Sequence, residues 1–297
     1  MIRVDGSSMY AIVDKNVHNC VQDITEIIAI QYDFLNSKCK KLCFEFTDCE
    51  HLNAAVSVII GTLPEYARLC EKRVKYHFPD QTNHPIFKFM KKVGMYKYYM
   101  KDEIDYTGDD VIPFDCIIDE DMMDKYADMI MSLAPIQMQK EAQDILSSYI
   151  YEIYQNSLFH SNSPIGVFTS GCWMKNKKEF AFSIYDMGMG IPETIRKYMK
   201  MSSLDSEKCL KLAFLDGFST SSNHSINRGL GLTRLESFIR LNKGRMSIYT
   251  DDICCLIQGC QEKEFIKLDK PIKGTLIIVN IMADEKHIYV IDKERKV

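Results

Sequence analysis

The stretch Ser147–Ser161 reads S-S-Y-I-Y-E-I-Y-Q-N-S-L-F-H-S. Together with the residues before it, Ala142, Ile145, Leu146, Tyr149, Ile150 and Ile153 recur at intervals of three and four, the period of an amphipathic helix. On that helix Glu152, Asn156 and His160 stand four apart and share a face, about 5–6 Å from one to the next. A carboxylate, a carboxamide and an imidazole therefore form one polar stripe beside an apolar one. The carboxylate can serve as a general base, and the carboxamide oxygen can take a hard cation. A polar helix face is by default simply solvated. Chemistry requires other residues to converge on it, and two glycine-bearing stretches downstream are the candidates.

The chain has 297 residues, 46% of them hydrophobic, enough for one large domain or two ordinary ones with a sizeable core. The formal net charge of -4 and pI near 6.0 argue against a nucleic-acid binder, which presents a basic surface. The 11 cysteines include no C-x-x-C pair, so neither a disulfide framework nor a zinc site is expected. Reduced thiols in a cytoplasmic protein are the simplest account. The N-terminus lacks an apolar signal core, and the longest apolar run, around Ala54 to Ile60, is too short to span a bilayer, so no membrane partner is expected.

In chain order the pattern alternates. Met9–Val13 suits a short strand, Val21–Leu35 a helix, Lys41–Phe46 a strand, Thr47–His51 a turn, and Ala54–Leu69 a helix kinked or broken at Pro64. Arg73–Phe78 suits a strand, Pro79–Asn83 a loop and His84–Val93 a helix. Alternating strands and helices imply an α/β layer structure. The acidic run Lys101–Asp110 is the best linker, dividing the chain into units 1–105 and 106–297. Beyond it, Val111–Ile118 suits a strand and Asp119–Leu133 a helix, with Pro135 separating that helix from the one above.

After His160, strands are expected at Ile165–Trp173 and Glu179–Tyr185, joined by a hairpin loop. The second runs into Asp186-Met187-Gly188-Met189-Gly190-Ile191-Pro192. Glycines two apart after a strand let the backbone turn sharply and approach a ligand, and Pro192 suits the first turn of a helix over Glu193–Met199. Lys200–Asn227 is polar and serine-bearing, the composition of a lid or binding loop. Asn227-Arg228-Gly229-Leu230-Gly231-Leu232 then opens a helix over Thr233–Leu241. Glycines at a helix start leave free N–H groups and the positive dipole end for an anion. Strands close the chain at Gly244–Thr250, Ile253–Gln258 and Thr275–Ile281.

Two resemblances follow from these motifs. F-T-D-C-E-H-L-N-A-A-V-S (Phe46–Ser57) and N-H-P-I-F-K-F-M-K-K-V-G-M (Asn83–Met95) resemble the strand-to-helix corner and closing helix of STAS domains. Where antagonists of that family carry a phosphorylatable serine, Asn53, Ala54 and Ala55 stand here, so phosphorylation at that place is not expected as a switch. The ordered set E-x-x-x-N, D-x-G-x-G-I, a serine-bearing loop, G-L-G-L and G-T resembles the GHKL superfamily of ATP-binding proteins, over roughly Asp115–Ile281. That resemblance implies the Bergerat fold, a mixed sheet with helices on one face, here preceded by a smaller STAS-like α/β domain.

The GHKL resemblance also implies roles. Glu152 would be the general base toward the γ-phosphate, and Asn156 the ligand of Mg2+. Asp186 would accept from the adenine amino group, with Gly188, Gly190 and Ile191 closing over the nucleoside. Gly229, Leu230 and Gly231, with Arg228 at their start, would cradle the phosphates. The Thr275 hydroxyl would support Asp186. Two departures stand out: Met187 replaces a frequent asparagine, and Asn227-Arg228 replaces a frequent G-T. The functions implied are an ATPase that controls a protein partner, a protein serine/threonine kinase of the anti-sigma-factor type, or a non-hydrolysing ATP-gated binding module. A second copy of the chain is a candidate partner.

Overall fold

The computed structural model describes residues 1–78, 83–100, 110–133, 140–215 and 231–282. Its middle layer is a pair of helices, α1 (Val21–Asn36) and α2 (Ala54–Leu69). From Ala54 to Leu63 every residue of α2 is buried, and a helix apolar on all sides needs cover on all sides. Two sheets supply it. The helix runs through Pro64 without a break. Proline removes the N–H that would have reached the carbonyl four residues back, and that carbonyl, of Ile60, instead accepts the Tyr76 hydroxyl at 3.0 Å.

The first sheet is formed by β1 (Ile2–Asp5), β2 (Ser8–Ile12), β4 (Lys41–Glu45) and β6 (Arg73–His77) in the order β1-β2-β4-β6. Its last three strands run parallel and β1 pairs antiparallel with β2. The two-residue strands β3 (Asn16–Val17) and β5 (His51–Leu52) pair beside it. Helices α3 (Pro85–Lys92) and α4 (Met95–Met100) close this part of the chain. Strand β1 and helix α4 are not evident from sequence pattern.

The second sheet holds β7 (Val111–Ile117), β8 (Val167–Met174), β9 (Glu179–Asp186), β10 (Arg245–Gln258) and β11 (Glu264–Met282) in the order β10-β11-β9-β8-β7. Every neighbouring pair is antiparallel, which corrects the expected mixed sheet. The connections explain it. Hairpins join β8 to β9 and β10 to β11, and hairpins give antiparallel pairs. The excursion through α5 (Glu120–Leu133) and α6 (Lys140–His160) returns the chain to the end it left, so Ile117 pairs with Val167.

Side chains on this sheet alternate between two cores. Phe180, Phe182, Ile184, Ile277, Val279 and Ile281 face the core shared with α5, α6 and α9 (Gly231–Leu241). Tyr185, Met187, Leu276 and Ile278 face the core shared with α1 and α2. The helices of the sheet's own unit thus lie on one face, and the N-terminal helices cover the other. The order of layers is sheet, helices, sheet, helices, an α+β sandwich, and the α1–α2 core runs from one sheet to the other.

Between β9 and β10, ahead of α9, come α7 (Ile191–Met199) and α8 (Ser206–Ala213). The second corrects the reading of Lys200–Asn227 as a loop throughout. Asp205 caps α8, its carboxylate accepting from the Lys208 N–H at 2.7 Å, and Cys209 and Leu210 are buried. Strand β10 is one strand with a bulge at Asp251, where φ is 52°, instead of two. No helix among the described residues is long and apolar enough to cross a membrane.

Candidate functional site

The alternation that builds the sheet also aims Asp186. It shares the parity of Phe182 and Ile184, so it lies on the α6 face, while Met187 next to it turns toward α1. Register places Thr275 opposite Asp186 and Thr250 opposite Thr275. The end of β9 and the middles of β11 and β10 therefore bring Asp186, Thr275 and Thr250 into one row across the sheet, on one face. All three are buried.

The Asp186 carboxylate accepts from the Gly188 N–H at 3.0 Å. Ser161, directly after α6, and the Thr275 N–H also donate to it, and Lys273 contributes a favourable charge. These do not offset desolvation. Burial is the largest influence and pushes the Asp186 pKa up to about 7. A carboxyl group held in this way gains from any further N–H donor that a ligand brings.

The Thr275 hydroxyl meets the Thr250 hydroxyl at 3.2 Å. Thr250 in turn donates to the Gly274 carbonyl at 3.1 Å and accepts from the Ile191 N–H at 3.1 Å. Thus Thr275 supports Asp186 through its backbone N–H, and its hydroxyl meets that of Thr250, which locks the start of α7. Thr250 and Ser161 were not evident from the sequence, because only the strand register brings Thr250 to Thr275 and only the end of α6 brings Ser161 to Asp186.

The glycines are required by close approach. A Cβ on Gly188 would stand 2.1 Å from the Ser161 carbonyl oxygen, and one on Gly274 would stand 2.0 Å from the Asp186 carbonyl oxygen. The Met189 N–H donates to that same Ser161 carbonyl at 2.7 Å. Gly190 caps α7 with φ of 81°, and Pro192 lies in the first turn. The turn after β9 is thus held against the end of α6.

That contact fixes where Glu152 and Asn156 stand. They precede Ser161 on or beside one helix by nine and five residues, about 13 Å and 7 Å of helical rise. Asn156 is exposed and Glu152 half-buried, and both lie upstream of the Asp186 end. Arg234 of α9 and Glu152 both influence Tyr149, whose pKa is raised first by burial, lowered by Arg234 and raised by Glu152. The α9 helix thus brings a cation to the neighbourhood of the candidate base. Gly231 is the first residue of α9. Arg228, Gly229 and Leu230 lie outside the described residues, as does the second part of the expected lid, residues 216–227.

Met187 is explained by what covers it. It is fully buried against α1, and Gln31 reaches across with its amide 4.0 Å from the Met187 sulfur. The same Gln31 accepts from the Tyr185 hydroxyl at 2.9 Å. A residue of the N-terminal helix therefore touches both neighbours of Asp186.

Among the described residues no group of three or more His, Cys, Asp or Glu side chains is placed to hold a metal ion. An Asn156 oxygen with waters and phosphate oxygens remains a donor set that suits Mg2+, which commonly keeps most of its waters. No family model matches the chain, and no curated protein matches it.

Proposed function

We propose that the chain binds Mg-ATP at the Asp186 end of α6 and hydrolyses it, with Glu152 as general base. The observation that carries this reading is the buried Asp186 carboxylate, clamped to the end of the very helix that bears Glu152 and Asn156. Asp186 would take the adenine amino group, a donor that stabilises its ionised form. Asn156 would ligate Mg2+ through its amide oxygen. Bound there, the metal would neutralise phosphate charge. Glu152, further up the helix, would draw a proton from the attacking water. The separation of about 13 Å along the helix suits an extended nucleoside triphosphate lying along α6, base at Ser161 and terminal phosphate toward Glu152. Turnover would control a protein partner through the α1 contact behind Asp186.

The test is phosphate release from Mg-ATP by the full chain beside Glu152→Ala. Release by the wild type and its loss in the variant, with ATP affinity retained, support hydrolysis with Glu152 as base. ATP binding without release from either protein removes hydrolysis and leaves phosphotransfer or an ATP-held switch. An Asp186→Asn variant that binds ATP as tightly as the wild type overturns the nucleotide site itself.

A further inference from the structure

We propose that the cleft at the opposite end of the second sheet binds the phosphate group of a small monoester. This cleft is lined by Glu179 at the start of β9, Arg245 at the start of β10 and Met282 at the end of β11. Seven residues of strand separate Glu179 from Asp186, about 23 Å, so it is distinct from the candidate nucleotide site. Its volume is about 360 Å³, at the lower end of the range for small-molecule sites.

Charge is what makes it a site. Lys177 enters from the turn before β9, Lys243 from the turn before β10, Arg245 from the first position of β10, and His18 from the segment before α1. None of Lys177, Lys243 or Arg245 has a carboxylate partner among the described residues, whereas Lys197, Lys208, Lys211, Arg240 and Lys263 all do. Glu179 is the only carboxylate among the described lining residues, and it is engaged by the Asn280 amide. The excess positive charge is felt nearby. The His51 pKa is lowered first by desolvation, then by the charges of His18 and Lys177.

The frame is also rigid. Arg245 donates to the Asn19 carbonyl at 2.9 Å, and the Asn19 amide donates to Asn280 at 2.8 Å. Asn280 is 4% exposed. A hydrogen-bonded guanidinium with two exposed ammonium groups around a concavity suits a dianion with several acceptor oxygens. The sixteen-residue α2 opens here through its cap Asn53 and adds a partial positive charge of the same sign. The volume left beyond one phosphate takes a short polyol.

The experiment is calorimetric titration of the full chain with glycerol 3-phosphate, inorganic phosphate and glycerol, beside the double variant Lys177→Gln/Lys243→Gln. Both lysines are exposed, so the variant is expected to keep the wild-type urea midpoint. The wild type should bind the ester, bind inorganic phosphate more weakly and ignore glycerol, and the variant should bind the ester at least tenfold more weakly. Retained affinity in the variant would place the anion elsewhere and overturn the proposal. So would an ester no tighter than inorganic phosphate, or no binding at all.

Discussion

Replacing Asp186 by asparagine separates a functional carboxylate from a merely structural one. The group's pKa rises from 3.8 in the unfolded chain to about 7 in the fold, chiefly through burial. Between those values folding takes up a proton, so this residue makes stability fall as pH rises from about 4 to 7 and stay level above that. Three pKa units correspond to about 4 kcal/mol. The asparagine side chain carries no such penalty but presents an N–H toward the donors that converge there, at a cost of about 1–2 kcal/mol. Asp186→Asn should therefore be more stable than the wild type by about 2–3 kcal/mol at pH 8 and slightly less stable at pH 4.5. Urea denaturation followed by circular dichroism across that range reads the difference. Nucleotide affinity should fall in the same variant, since a side chain kept at a cost to stability marks a binding role. A wild type and variant whose stabilities differ by the same amount at every pH would refute the reasoning.

Other substitutions probe the frame around it. Gly188→Ala should lower stability by about 2–3 kcal/mol, read as a reduced urea midpoint, because its Cβ meets the Ser161 backbone with no flexible atom to yield. Gln31→Ala removes one of the two acceptors of the Tyr185 hydroxyl, leaving the Lys273 carbonyl at 3.0 Å, and should cost at most about 1 kcal/mol. If the α1 contact couples to the site, ATP affinity should change too; an unaltered affinity would limit Gln31 to packing. Tyr76→Phe leaves the Ile60 carbonyl inside α2 without its hydroxyl donor and should cost about 1 kcal/mol. An unchanged midpoint would mean that Pro64 needs no such compensation.

Much of the architecture is legible in local pattern, for physical reasons that can be named. The three- and four-residue spacing of Ile145, Leu146, Tyr149, Ile150 and Ile153 specifies a helix, because one face must be buried. The long apolar run from Ala54 specifies a helix. Gly190-Ile191-Pro192 specifies a turn into α7, because backbone sterics at glycine and proline are local. Where local signals are weak, the reading stops short. The short α8 is amphipathic only over two turns, and the bulge at Asp251 lets β10 continue through what reads as a gap between strands.

What the sequence by itself determined is the identity of the chemically capable groups: Glu152 and Asn156 on one helix face, and Asp186 ahead of two glycines. Tertiary structure alone decided what surrounds them. Strand register set Thr275 beside Asp186 and Thr250 beside Thr275, and the end of α6 brought Ser161 to the carboxylate. Alternation along β9 turned Met187 away to meet Gln31, 156 residues distant. Side-chain direction in a strand follows from local geometry, but which strand lies alongside, and which helix covers each face, depends on contacts between residues far apart in the chain. Burial of Asp186, and with it the raised pKa, is a property of that assembly and of no segment within it.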